Sequence, residues 1–239
     1  MAKMTLDDLV AQLRGVFGDG LRSVVLYGSA AAGEHVADRS DYNVLVIVDA
    51  LDLDHLRRLS PAARAWADAG NPPPLTFTVQ EWRESADIFP MEYADILDRH
   101  RLLHGASPFD GIAVARADLR LQLEHEAMGK LLALRQAVLA TGDDAARQVE
   151  LVARGFSTVM VLFRAVERLQ GRAPSADSAS LCRSVASAAG FDAEPFLTVV
   201  RHLRGEDRLA PGRAGPLVAG YLGGLERLVQ YVDGLDAHG

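Results

Sequence analysis

Two short stretches carry residue types that handle phosphate. Tyr27-Gly28-Ser29 ends one run of aliphatic residues, and Asp41-Tyr42-Asn43 opens another. Backbone N–H groups at the start of a short helix after Gly28-Ser29 would face an anion. In an extended segment, residues i and i+2 share a face, so Asp41 and Asn43 project together while Tyr42 is directed into the core. A metal-binding carboxylate beside an anion cradle suits a nucleoside triphosphate and a Mg²⁺ ion. Asn43 offers Mg²⁺ one neutral oxygen and does not balance its charge as a carboxylate does. The expected consequences are weaker metal binding, a rearranged site or lost catalysis.

The elements that must position these residues are legible in the periodicity. Thr5-Leu6-Asp7-Asp8 is a capping box, and Leu6, Leu9, Val10, Leu13, Val16 and Phe17 recur at helical spacing until Gly18 and Gly20 stop the helix. Leu21–Tyr27 is short and aliphatic, which predicts a buried strand, and Asn43–Val48 predicts a second. Over 52–70 the pattern is helical but interrupted at Ser60-Pro61, an N-cap followed by proline at the first helical position, so two short helices are expected. Asn71-Pro72-Pro73-Pro74 forces an extended entry into a third strand over 75–79.

The pattern turns helical near Phe109. Leu119, Leu123, Ala127, Leu131, Leu134 and Val138 share one face of a helix over 118–140. Val149, Val152, Phe156, Val159, Phe163, Val166 and Leu169 line a second over 143–169. These two are expected to pair antiparallel across Thr141-Gly142. Shorter helices are predicted over 178–189 and 192–203, the latter with Pro195 in its first turn. A loop over 206–215 and a closing helix over 216–232 follow.

The Gly28-Ser29 turn, the interval of about ten residues and the acidic start of the next strand resemble the signature of the nucleotidyltransferase superfamily, of the DNA polymerase β-like and kanamycin or small bacterial minimal nucleotidyltransferase type. Asp41-Tyr42-Asn43 stands where that signature has Asp-x-Asp. The resemblance implies an α/β (α+β) nucleotidyltransferase domain with a short mixed sheet over 1–112, closed by a strand at His100–Gly105, then an all-α helical bundle over 113–239. It implies two Mg²⁺ ions held by the paired residues and by a third carboxylate on a later strand. The strand over 75–79 has only Thr76 and Thr78 to offer. Pro90-Met91-Glu92-Tyr93 resembles the glutamate-bearing strand of aminoglycoside nucleotidyltransferases, which makes Glu92 the candidate base. An equal alternative is that Glu92 or Asp95 pairs with Arg99 or Arg101. In the superfamily the loop over 33–39 lies over the nucleotide, so Arg39 is a candidate phosphate contact, against its other reading as part of a solvated turn.

The implied activity is Mg²⁺-dependent transfer of a nucleoside monophosphate, AMP favoured, to a hydroxyl of a small molecule or protein. Gly28, Ser29 and Arg39 would bind nucleotide, Asp41 and Asn43 would hold metal, and Asp41 and Glu92 would serve catalysis. The alternative is a decayed nucleotidyltransferase-fold module that binds nucleotide or regulates a protein. A formal charge of −7 argues against a broad nucleic-acid footprint. Cys182 is the single cysteine, so no intramolecular disulfide is expected. No apolar signal core or membrane-length run is evident, so a cytoplasmic protein is expected. Glu34-His35 replaces the Lys-Ser/Thr that a P-loop requires after Gly33. Arg120 and His125 have a ribonuclease-like spacing but fall nearly on opposite faces of one helix. His100 and His104 are expected as exposed strand residues, with no third ligand nearby.

Overall fold

Strands buried on both faces organise the first half of the protein around a mixed sheet. The computed structural model describes residues 3–28, 30–31 and 41–235. Ser29 and Arg39 lie outside the described residues. The chain divides into two compact units, Met1–Val114 and Ala115–Gly239.

In the first unit, α1 (Leu6–Phe17) begins at the expected capping box. The Thr5 hydroxyl accepts from the Asp8 N–H at 3.2 Å, and the Thr5 N–H donates to the Asp8 carboxylate at 3.0 Å. The strands are β1 (Leu21–Tyr27), β2 (Asn43–Val48), β3 (Leu75–Thr78) and β4 (His100–Gly105), in the order β3-β2-β1-β4. β1 pairs antiparallel with β2 and β4, while β2 and β3 are parallel. Val24, Leu26, Val44, Val46 and Val48 pack on one face against α1 and α2 (Leu53–Asp68). Val25, Leu45 and Ile47 pack on the other against α3 (Val79–Glu84) and α4 (Pro90–Asp98). Both faces are covered, which explains why the strands read as aliphatic runs.

Two expectations fail here. The helix over 52–70 is one helix, with Pro61 inside it. An interior proline costs about 3 kcal/mol, but Leu59, Ala62 and Trp66 form one buried face across it, and Asp52 caps its start by accepting from the His55 N–H at 2.9 Å. Burying that face in register with the sheet outweighs the local break. The third strand ends at Thr78, because the Thr78 hydroxyl accepts from the Glu81 N–H and opens α3.

The second unit is helical: α5 (Arg116–Thr141), α6 (Ala145–Leu169), α7 (Ser178–Ala189), α8 (Glu194–Arg204) and α9 (Ala214–Asp233). α9 starts earlier than the sequence pattern predicts, and a 3₁₀ turn at Pro211–Arg213 occupies part of the expected loop. Phe163, Phe196 and Tyr221 build an aromatic core, with Phe196 stacked on Tyr221 at 4.4 Å between ring centroids. Glu167 is buried, and its charge is met by two hydrogen bonds from Arg172 and one from the Ser184 hydroxyl. Arg120 bonds the Asp233 carbonyl while the His125 side chain is largely exposed, so the two do not form a joint site. No described helix is long and apolar enough to cross a membrane.

Candidate functional site

Register gathers the candidate residues at one end of the sheet. Tyr27 pairs with Asn43 on β2 and with His100 on β4, so the three side chains stand in a row across β2, β1 and β4. Tyr27 packs with the cluster formed by Val25, Leu45, Trp82, Tyr93 and Ile96, which places this row on the face covered by α3 and α4. Asp41, two residues before Asn43, is exposed, and Tyr42 turns to the opposite face, where its ring lies 6.1 Å from that of Trp66. The segment is held from outside the sheet, since the Tyr42 N–H donates to the Asn71 side-chain oxygen at 2.9 Å.

The turn after β1 is fixed by its backbone. Gly28 has a φ of 78°, which favours glycine, and a Cβ there would lie 3.5 Å from the Asn43 amide nitrogen. Its N–H donates to the Arg99 carbonyl at 3.0 Å and its carbonyl accepts from the Ala31 N–H at 3.1 Å. These two N–H groups are therefore engaged within the protein. Gly28 contributes the shape of the turn and room for Asn43.

Glu92 lies in α4, a helix, and this corrects the expected glutamate-bearing strand. Pro90 occupies the first turn, where its missing N–H costs nothing. Met91, Tyr93, Ala94 and Ile96 are buried, a helical rather than a two-residue rhythm. Tyr93 anchors the helix: its ring stacks on Trp82 at 4.1 Å, and its hydroxyl donates to the Trp82 carbonyl at 2.7 Å. Burial pushes the Tyr93 phenol up to about 12. With that face turned inward, Glu92 is left exposed.

The charges of Glu92 and Asp41 both act on Tyr27. Burial raises the Tyr27 phenol above the usual tyrosine range, and repulsion from Glu92 and then from Asp41 raises it further. Two carboxylates from distant segments thus act on one hydroxyl beside the Gly28 turn. The sequence reading gave Tyr27 no role, although its place directly before Gly28-Ser29 was the available signal. His100 is exposed, as expected, but its Nδ1 lies 3.0 Å from the Ile96 carbonyl and 3.1 Å from the Leu97 carbonyl. Carbonyls only accept, so Nδ1 carries the hydrogen and Nε2 holds the lone pair of the neutral ring.

Thr76 and Thr78 add no acid to the site, and both hydroxyls serve the backbone, Thr76 donating to the Pro74 carbonyl and Thr78 capping α3. Among the described residues, no group of three or more His, Cys, Asp or Glu side chains is placed to hold a metal ion. The expected ligands, Asp41 and the Asn43 amide, nonetheless both offer oxygen. Mg²⁺ commonly takes only one or two carboxylates and completes its shell with substrate phosphates and water. The donors present fit a nucleotide-borne Mg²⁺ better than a cage built by protein alone.

No protein-family model matches the sequence, and no curated protein matches it. Among solved structures, the protein is similar to the spectinomycin adenyltransferase AAD(9) from Enterococcus faecialis, solved with ATP and spectinomycin. The TM-score is 0.58 at 14% identity, over 94% of this chain and 99% of that one. The mixed sheet with helices on both faces, followed by a helical unit, is accordingly a fold shared with that adenyltransferase.

Proposed function

We propose that the protein transfers a nucleoside monophosphate, AMP favoured, from a nucleoside triphosphate to a hydroxyl of a small molecule or protein. The observation that carries this reading is the row of Asn43, Tyr27 and His100 beside the Gly28 turn, with Asp41 two residues before Asn43, in a fold shared with an adenyltransferase. The acceptor oxygen attacks the α-phosphorus and forms a new P–O bond, the bond to the β-phosphate breaks, and pyrophosphate leaves. Glu92 takes the hydroxyl proton as general base. Asp41 and Asn43 would hold Mg²⁺, which when bound would offset the charge of the phosphates. Tyr27 stays protonated at neutral pH and serves as a hydrogen-bond donor. Ser29 and Arg39 are the proposed phosphate contacts, with Gly28 shaping the turn.

A second reading is a decayed module that binds nucleotide or regulates a partner. Asn43 favours it, since an amide stands where a carboxylate would balance metal charge. Calorimetric titration of ATP, GTP, CTP and UTP, with and without Mg²⁺, separates the two. Transfer predicts Mg²⁺-dependent binding of one nucleotide that is lost in Asp41→Ala with the fold intact. Binding that ignores both Mg²⁺ and Asp41→Ala overturns it, and binding only by Asn43→Asp assigns the protein to the second reading.

A further inference from the structure

Helix α5 is apolar on two opposite sides. Leu119, Leu123, Ala127, Leu131 and Leu134 are buried in the bundle. Leu121, Met128, Leu132 and Leu139 are exposed by 67%, 42%, 48% and 84%. At 3.6 residues per turn these four fall within about 40° of one another around the helix, and they run about 27 Å along it. The row is interrupted by the exposed His125 and Arg135, and large apolar side chains gathered on one exposed face mark an interaction surface more often than scattered exposed leucines do.

The spacing of the stripe identifies its occupant. Positions 121, 128, 132 and 139 are separated by seven, four and seven residues, a series that reads the same in both directions. A two-fold interface must be self-complementary: if residue i meets residue j, then j meets i. An antiparallel pairing of two α5 helices centred on position 130 satisfies this. It sets Leu121 against Leu139 of the partner subunit and Met128 against Leu132 of the partner subunit. The flanks agree. In an antiparallel pair, residues on the same flank meet, so Glu124 faces the partner's Arg135, and His125 faces the partner's Gln136. Glu124 already bonds Arg120 at 3.0 Å, and Arg135 bonds Glu226 at 2.8 Å. Pairing joins these two bridges into one network of alternating charge on each side of the two-fold axis.

We infer that the exposed face of α5 is a homodimer interface, an antiparallel α5–α5 pair formed with a second copy of this chain. A single helix pair is at the small end of stable interfaces, so the dimer is concentration-dependent. Sedimentation velocity on the full chain over a dilution series tests it. The native protein should sediment with about twice the 25.7 kDa mass of one chain at high concentration. Leu132→Glu should weaken association at least about thirtyfold while leaving far-UV circular dichroism unchanged. Glu124→Arg, on the exposed flank, should also weaken it by setting like charges together, and Glu124→Arg combined with Arg135→Glu should restore it. Both substitutions also disturb the intramolecular pairs with Arg120 and Glu226, so a folding effect would add in the double variant, and recovery by the charge swap supports the pairing in register. A native protein that stays monomeric at every concentration, or a dimer indifferent to Leu132→Glu and to the charge swap, overturns the inference.

Discussion

Two glycines of the sheet have nearly the same backbone angle and should respond very differently to alanine. Gly28 and Gly105 have φ of 78° and 80°. An L residue in this left-handed region costs about 1–2 kcal/mol at either site. At Gly28 the added methyl meets, among the described residues, only the Asn43 amide, at 3.5 Å, an ordinary contact. At Gly105 it would lie 1.9 Å from the Arg22 carbonyl oxygen and 2.8 Å from its carbon, both of them backbone atoms of β1. β4 must then retreat from β1. That movement strains the Ala106 N–H bond to the Arg22 carbonyl, 3.2 Å long, and the bond from the buried Ser23 hydroxyl to the Ala106 carbonyl. One lost hydrogen bond is worth about 0.5–1.5 kcal/mol, and a buried hydroxyl left unsatisfied costs about 1–3 kcal/mol.

Gly28→Ala should therefore lose about 1–2 kcal/mol and Gly105→Ala about 2.5–6.5 kcal/mol. Trp66 and Trp82 are the two tryptophans of the chain and both lie in the first unit. Their fluorescence in a urea titration consequently reads that unit without interference from the helical one. At constant m-value the midpoints should fall in the order native, Gly28→Ala, Gly105→Ala. Equal losses at the two sites, or a larger loss at Gly28, would refute the claim that the approach of β4 to β1, and not the backbone angle, dominates at Gly105.

Two further outcomes test the charge arrangement. Glu92→Gln and Asp41→Asn should each lower the Tyr27 phenol toward the ordinary tyrosine range, because each removes a negative charge that opposes phenolate formation. Alkaline ultraviolet titration against a Tyr27→Phe control reads this, and unchanged curves would separate both acids from Tyr27. Asp177, which caps α7, is held well below the usual carboxylate range by hydrogen bonds from Arg204 and then Ser180. A depressed folded-state value means that its stabilisation is complete above the unfolded value of 3.8 and is lost as pH falls below it. The Tm difference between the native protein and Asp177→Ala should be flat near neutrality and close below about pH 3.8. A gap that persists in acid would show that the cap acts without its charge.

What the sequence disclosed was mainly local. Thr5 and Asp8 announced α1 because a capping box is completed within four residues. The aliphatic runs announced β1 and β2 because both faces of the sheet are buried. Pro61 misled because its local cost is visible in sequence, whereas the compensating burial of Leu59 and Trp66 against the sheet is tertiary. Glu92 misled for a related reason: the stacking of Tyr93 on Trp82, which fixes α4 as a helix, joins residues eleven apart through the fold. The row of Asn43, Tyr27 and His100 depends on strand register, and no single segment carries that information.

The same row gives physical meaning to Asn43. Tyr27 already feels Glu92 and Asp41, and Asn43 is its direct cross-strand partner. A carboxylate at position 43 would bring a third negative charge to the same end of the sheet, and without a cation the three would repel one another. An amide there removes the repulsion and packs its nitrogen against the Gly28 turn. The corresponding loss is negative charge to balance Mg²⁺, which under the proposed function comes instead from the phosphates of the nucleotide. Asn43 thus favours a site assembled in the free protein and completed by its nucleotide over one organised around a resident metal.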